Sequence, residues 1–147
     1  MEISWPKAAQ ILTVGITYLL ASVFLISAIS KMLAPDGFRV FLSGILPPFF
    51  LSYNTLSYLL IVLEITLGSM ILSSRTRGVG LFAALVTLLG FTAVLLYASV
   101  VQVESSCGCF GILSDRSSIE VDIVRNLVLS LCCVFVIGNE DKRVMTK

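Results

Sequence analysis

The residues of this chain best suited to chemistry are two cysteines separated by a single glycine. They belong to one short run: Cys107, Gly108, Cys109, Phe110 and Gly111. A disulfide between Cys107 and Cys109 would close a small ring, and Gly108 supplies the backbone freedom that such a ring requires. Strained, exposed disulfides are stronger oxidants and exchange more readily than structural ones, so this pair suits a redox relay.

Two other uses of the same pair stay open. A static disulfide could order the loop, although so short a ring removes little entropy from the unfolded chain. A metal site is disfavoured, because the chain has no histidine and two thiolates leave most metals under-coordinated, Cu(I) excepted. We therefore predict no metal ligands. Cys132 and Cys133, deep in the last apolar segment, are expected to pack as small hydrophobic side chains.

The composition of this 147-residue chain indicates that it is embedded in a lipid bilayer. Hydrophobic residues make up 57% and charged residues 13% of the chain, and the mean hydropathy is +1.01. A soluble domain of this size could not bury so much apolar surface. The net charge of +1 argues against a nucleic-acid partner. The lack of histidine also excludes His-ligated haem and Ser-His or Cys-His catalytic pairs.

Four apolar segments are long enough to cross a membrane, which takes about 20 residues. Short loops between them favour antiparallel neighbours, so we predict one all-α membrane domain over 1–147, an up-down four-helix bundle. The predicted spans are about 8–33, 51–72, 79–101 and 121–138.

A fifth, shorter helix is predicted between the first two spans. Phe38, Phe41 and Leu42 fall on one face at helical spacing, and Pro47 and Pro48 would end a helix there. We expect this segment to be an interfacial helix that lies along the membrane surface.

Lysine and arginine are distributed unequally between the two sides of such a bundle. The side that holds both termini carries Lys7, Arg75, Arg77, Lys142, Arg143 and Lys147. The other side carries at most Lys31, Arg39, Arg116 and Arg125. The positive-inside rule therefore predicts that both termini are cytoplasmic. The Cys107–Cys109 loop would then be extracytoplasmic, where disulfides form and persist.

Ionisable residues also lie inside the predicted spans. Glu64 is near the middle of the second span, and such a residue is usually functional and paired. Arg125 follows one to two turns inside the fourth span, about 8 Å from Glu64 in depth by helix rise. We predict a buried Glu64–Arg125 contact, with Asn126 nearby, beneath the thiol loop. A polar pair that only locks the bundle is the alternative. The role of Lys31 is ambiguous, and snorkelling to the interface would explain it fully.

Several of these stretches together resemble the MauE branch of the DoxX-like membrane proteins. The likeness covers nearly the whole chain, and its most specific part is the Cys-Gly-Cys-Phe-Gly run. The features at Lys31 and Glu64 are common to many DoxX-like proteins. The matching stretches are Ser27–Lys31, Pro35–Phe38, Glu64, Cys107–Gly111 and Arg125 with Asn126.

The resemblance implies a four-helix membrane protein associated with redox chemistry in methylamine utilisation. MauE is linked there to a periplasmic thioredoxin-like protein that forms the disulfides of methylamine dehydrogenase. The family also looks like the quinone-linked disulfide-forming membrane proteins, which carry two outer thiol pairs where this chain has one. No cofactor follows from the residues themselves, and quinone is the candidate that this likeness suggests.

Two functional hypotheses follow. In the first, the chain is a membrane thiol–disulfide redox component. Cys107 and Cys109 exchange electrons, through a mixed disulfide, with an extracytoplasmic thioredoxin-like partner. In the second, the chain is a non-enzymatic accessory subunit or assembly factor of a larger membrane complex, and its cysteines form a structural disulfide. Whether the chain is itself a thiol–disulfide oxidoreductase stays open at this point.

Overall fold

The computed structural model describes residues 7–45, 52–101 and 119–144, and these ranges are almost entirely helical. No β-strand occurs within them. The helices are α1 (Lys7–Leu33), α2 (Pro35–Ile45), α3 (Tyr53–Leu72), α4 (Arg77–Val100) and α5 (Ile119–Val144).

Four of these helices, α1, α3, α4 and α5, are long and apolar enough to cross a membrane. Continuous helices are expected there, because backbone groups in lipid must be satisfied within the helix itself. The prediction of four spans with a short helix between the first two is confirmed. The candidate spans are Gln10–Leu33, Tyr53–Leu72, Arg77–Val100 and Ile119–Asn139.

The four long helices close into a ring. Helix α1 contacts α3 and α5, and α4 also contacts α3 and α5. The amide of Asn139, late in α5, lies 3.5 Å from the hydroxyl of Thr13, early in α1, so these two helices run antiparallel. The core between the helices includes Leu20, Phe24, Leu81 and the fully buried Cys133, which packs as expected for a small hydrophobic side chain.

Two glycines allow neighbouring helices to approach closely. A Cβ atom at Gly68 would lie 2.9 Å from Cγ of Leu25 in α1. A Cβ atom at Gly80 would lie 2.9 Å from Cβ of Met70 and 3.1 Å from the backbone nitrogen of Ile71. Small residues at helix contacts are typical of membrane bundles, where packing rather than the hydrophobic effect drives association.

The short helix α2 packs against the bundle. It begins at Pro35, a residue well suited to a first helical position because its missing N–H would be unpaired there. Its buried face consists of Phe38, Phe41 and Leu42, as predicted, and this face contacts Leu95 and Ala98 near the end of α4. Helix α2 therefore covers the bundle where α1 and α4 end and where α3 and α5 begin.

Candidate functional site

A buried ion pair joins α1 to α3. Lys31 is 1% exposed and Glu64 is 3% exposed. The ammonium group of Lys31 donates a hydrogen bond to Oε1 of Glu64 and lies 3.0 Å from the hydroxyl oxygen of Ser27. The Ser27 hydroxyl in turn donates to the same carboxylate oxygen at 3.2 Å. The three side chains thus form a closed hydrogen-bonded triangle.

The interpretation that Lys31 snorkels to the membrane surface is wrong. In an α-helix the Cα–Cβ bonds tilt toward the N-terminus, so a lysine near the C-terminal end of α1 leans back into the bundle. There it meets the counter-charge of Glu64 and the faces of two phenyl rings. Its Nζ atom lies 5.3 Å from the ring centroid of Phe38 and 5.5 Å from that of Phe91. Pairing and cation–π contact offset the cost of burying the charge.

A second ion pair lies in the first turns of α5. Nη2 of Arg125 is 3.0 Å from Oδ1 of Asp122, one helical turn earlier. The side chain of Asp122 is 2% exposed and that of Arg125 is 28% exposed. Asp122 was not among the residues predicted from the sequence. The available signal was an acidic residue three positions before Arg125, a spacing at which opposite charges on a helix are neighbours.

The structure shows Glu64 paired with Lys31 and Arg125 paired with Asp122, and a direct contact between Glu64 and Arg125 stays a prediction. Glu64, Arg125 and Asn126 line one cavity of about 40 Å³, together with Lys31 and Ser27. Depth along the helices placed Glu64 and Arg125 near each other, and the structure adds Lys31 as a partner of one carboxylate oxygen of Glu64.

The cavity and its two ion pairs form a buried polar centre, which we call the ionic centre. Its charged members are Lys31, Glu64, Asp122 and Arg125, so the two positive charges are balanced by two negative ones. Oε2 of Glu64 and Oδ2 of Asp122 are buried and have no hydrogen-bond partner among the described residues. A volume of 40 Å³ exceeds the roughly 10–15 Å³ that one water needs. The ionic centre therefore has room for a water-sized polar molecule beside two unpartnered carboxylate oxygens.

The ionic centre does not resemble a metal site. Within 7–45, 52–101 and 119–144 there is no group of three or more His, Cys, Asp or Glu residues that could hold a metal ion. Its two carboxylates already accept hydrogen bonds from Lys31 and Arg125.

The Cys-Gly-Cys run lies outside the residues that the structure describes, so its predicted role stays a prediction. Segment 102–118 connects Val101, which follows α4, to Ile119, where α5 begins. Asp122 is about one turn from Ile119. The chain that carries the thiols is thus anchored at the end of the bundle that holds the ionic centre. The run itself comprises Cys107, Gly108, Cys109, Phe110 and Gly111.

Comparison with known protein families identifies the family of this chain. A family model described as methylamine utilisation protein MauE matches residues 9–138. The chain belongs to the MauE family. No curated protein and no solved structure matches it. Family membership and four apolar helices make the chain a multi-pass membrane protein associated with methylamine utilisation. The matched range contains both the ionic centre and the Cys-Gly-Cys run.

Proposed function

We propose that this MauE-family protein is a membrane thiol–disulfide redox component. Cys107 and Cys109 exchange electrons with an extracytoplasmic thioredoxin-like protein, and the exchange supports disulfide formation or maturation of exported redox proteins of the methylamine-utilisation type. In the oxidised state, a partner thiolate attacks one sulfur of the Cys107–Cys109 disulfide and a mixed disulfide forms. A second partner thiol then resolves it, which leaves Cys107 and Cys109 reduced and the partner oxidised.

The observation that carries this proposal is the ionic centre, which lies near the C-terminal end of α4 and the N-terminal end of α5. Oxidation of two thiols to a disulfide releases two protons along with two electrons, so a membrane thiol relay needs a group that accepts protons. Oε2 of Glu64 is buried, unpartnered among the described residues, and lines the cavity. Buried ionisable groups are costly within a membrane and commonly belong to a proton or substrate path.

The proposal includes an orientation in the bacterial cytoplasmic membrane. Both termini are cytoplasmic, and the Cys107–Cys109 loop is extracytoplasmic. The distribution of Lys and Arg between the two sides supports this orientation. An oxidising compartment outside the cytoplasm would allow the disulfide to form and persist.

Single-cysteine trapping tests the proposal. Cys107→Ser and Cys109→Ser each leave one thiol, and the variant that retains the reactive sulfur should attack the disulfide of an oxidised thioredoxin-like protein, release one partner thiolate and accumulate the mixed disulfide. The crosslinked species is identified by mass spectrometry after acid quenching. Cys132→Ser is the matched control, since Cys132 is a free thiol within α5. If both loop variants support normal disulfide formation in the exported proteins, the proposal is wrong.

A second candidate function is an accessory subunit whose cysteines form a static disulfide. The Lys31–Glu64 pair is also compatible with this function, because an ion pair between α1 and α3 can hold the bundle together without taking part in chemistry. Replacement of both residues by methionine separates the candidates. An accessory subunit should still assemble with its complex, whereas a relay that uses Glu64 as proton acceptor should assemble but oxidise its thiols slowly.

A further inference from the structure

The cavity of the ionic centre has a polar end and an apolar end. Five side chains at the polar end can donate or accept hydrogen bonds: Ser27, Lys31, Glu64, Arg125 and Asn126. The apolar end, about one helical turn further into the bundle, is lined by Val23, Phe24, Leu88 and Leu129. A polar ligand in this cavity therefore has partners at one end and none at the other.

Water fits this cavity by size and by chemistry. A volume of about 40 Å³ is enough for two or three water molecules, at roughly 10–15 Å³ each. Glu64 is 3% exposed, and its Oε2 atom has no hydrogen-bond partner among the described residues, which is costly for a buried charged group. A water molecule can donate to this oxygen while it accepts from the Asn126 amide or the Lys31 ammonium.

Other classes of ligand are disfavoured. The ionic centre already balances two cations with two anions, so an added ion would be an uncompensated buried charge. Organic ligands usually occupy cavities of about 300–1,000 Å³, far larger than this one. Water is the ligand that remains.

An apolar plug closes the bundle beneath the cavity. It consists of core side chains of α1 and α5 that are at most 3% exposed: Leu20, Phe24, Cys133 and Val136. On the inner face of α1, polar side chains resume only at Thr17, about 15 Å from Ser27 by helix rise. The Ser130 hydroxyl, at this depth on α5, already donates to the backbone carbonyl of Asn126 at 2.8 Å. Water in the cavity therefore has no polar route through the plug.

The opposite end of the cavity is marked by charges at the start of α5. Arg125 lines the cavity, and its side chain is 28% exposed, whereas the Lys31 side chain is 1% exposed. Asp122, one turn closer to the helix end, binds Arg125 through Oδ1. Its Oδ2 atom is buried and has no hydrogen-bond partner within the described ranges, so it can accept from water. Asp122 and Arg125 thus form a polar entrance.

We propose that the ionic centre is a one-sided water site. Water enters past Asp122 and Arg125, hydrates Oε2 of Glu64 and stops at the apolar plug. Because a hydrated carboxylate exchanges protons with the water that it contacts, Glu64 exchanges protons with the end of the bundle where α5 begins and is insulated from the other end. Only protons move, and the site does not depend on the thiol relay.

Hydroxyl-radical footprinting of the purified full-length protein in lipid nanodiscs tests the site. The protein is mixed rapidly with water that carries a heavy oxygen isotope, and a radiolytic pulse then oxidises side chains beside exchangeable water. Mass spectrometry locates the heavy oxygen. Phe24 is the reporter, because it lines the cavity and is 3% exposed, which shields it from bulk solvent.

Two variants of α5 make the comparison. Asn126→Leu removes a polar partner and fills the cavity, so Phe24 should lose its label. Ser130→Ala is the matched control one turn further along α5, outside the cavity lining, and Phe24 should keep its label. If Asn126→Leu fails to fold, Leu129→Phe fills the cavity from its apolar end and repeats the test.

The expected pattern is a labelled Phe24 with an unlabelled Cys133. Thiols are readily oxidised, so Cys133 would report any water within the plug. A Phe24 no more labelled than Leu20 overturns the proposal, because the cavity would be dry. Equal labelling of Phe24 and Cys133 also overturns it, because water would then pass beyond the cavity.

Footprinting of the Cys107→Ser, Cys109→Ser double variant separates this inference from the proposed function. Phe24 should be labelled in the double variant as in the natural chain. If the label persists while partner trapping fails, the water site stands and the thiol relay falls. If trapping succeeds while Phe24 stays unlabelled, the relay stands and the water site falls.

Discussion

Lys31 and Glu64 are buried charges that depend on each other. Removal of one member of a buried ion pair leaves the other uncompensated, which costs about 3–5 kcal/mol, whereas apolar replacement of both is often neutral. A bundle that needed only stability could therefore place apolar side chains at both positions. Retention of the pair beside an unpartnered carboxylate oxygen favours a role in chemistry.

Lys31→Met should destabilise the bundle by about 3–5 kcal/mol, and Lys31→Met with Glu64→Met should recover most of that loss. Denaturant titration of the purified protein, followed by circular dichroism, measures the free energy of unfolding. Arg39→Met is the control, because its ion pair with Asp36 is at the surface, where pairs contribute about 0–1 kcal/mol. A double variant no more stable than either single variant would show that the two residues are not partners.

Glu64→Gln should slow oxidation of the Cys107–Cys109 thiols by about a hundredfold, which is typical of losing a general base. The measurement is the rate of thiol loss, followed by alkylation with a mass tag, in membranes supplied with quinone. The pH dependence of that rate should also change, which a purely structural role would not cause. An unchanged pH profile in a folded Glu64→Gln protein would contradict proton acceptance by this carboxylate.

Individual site residues were predictable in position but not in pairing. Ionisable residues inside apolar spans identified Glu64 and Arg125 from the sequence alone, and both line the cavity. The partner of Glu64 was missed because it depends on the direction in which Lys31 leans at the end of α1. Asp122 was missed because it lies at the start of α5, where an acidic residue also suits the helix dipole.

At the scale of helices, two glycines allow α3 to pack closely against its neighbours. Gly68 lies at the contact with α1, and Gly80 lies at the contact with α4. Helix existence was predictable, since each span is a long apolar run without proline. Which glycine of α4 lies at a helix contact could not be read from the sequence, because a Cβ atom would meet α3 at Gly80 but nothing within 4 Å at Gly90.

Gly80→Ala should destabilise the bundle by about 1–3 kcal/mol, because a Cβ atom there collides with α3. Gly78→Ala is the matched control on the same helix, where a Cβ atom meets nothing within 4 Å. The control should be neutral or stabilised by up to about 1 kcal/mol through helix propensity. Thermal unfolding of both variants in one detergent makes the comparison, and equal stability would contradict the close contact.

At the scale of the whole molecule, the ring of four helices brings together charges that are distant in sequence. Antiparallel α1 and α5 place Lys31 and Arg125 at the same end, although one lies late and the other early in its helix. The number of spans, the short helix and its buried face were all predictable from apolar length and periodicity. The order of helices around the ring was not, because each long helix carries large apolar side chains on its exposed surface as well as in the core.

The orientation of the whole bundle is predicted from its loops. A reporter that is active only in the cytoplasm should be active when fused at the C-terminus or inserted in the α3–α4 turn, near Arg75. It should be inactive when inserted within segment 102–118. The opposite pattern would place Cys107 and Cys109 in the reducing cytoplasm and remove the basis for a stable oxidised pair.

The redox state of Cys107 and Cys109 in intact membranes tests the central claim most directly. In a Cys132→Ser, Cys133→Ser background, the loop thiols are tagged by alkylation before mild reduction, after reduction, and after the reductant is removed. The account predicts an oxidised pair that is reduced under these mild conditions and becomes oxidised again in the membrane. A pair that stays oxidised throughout would be a static disulfide, and it would contradict the thiol relay.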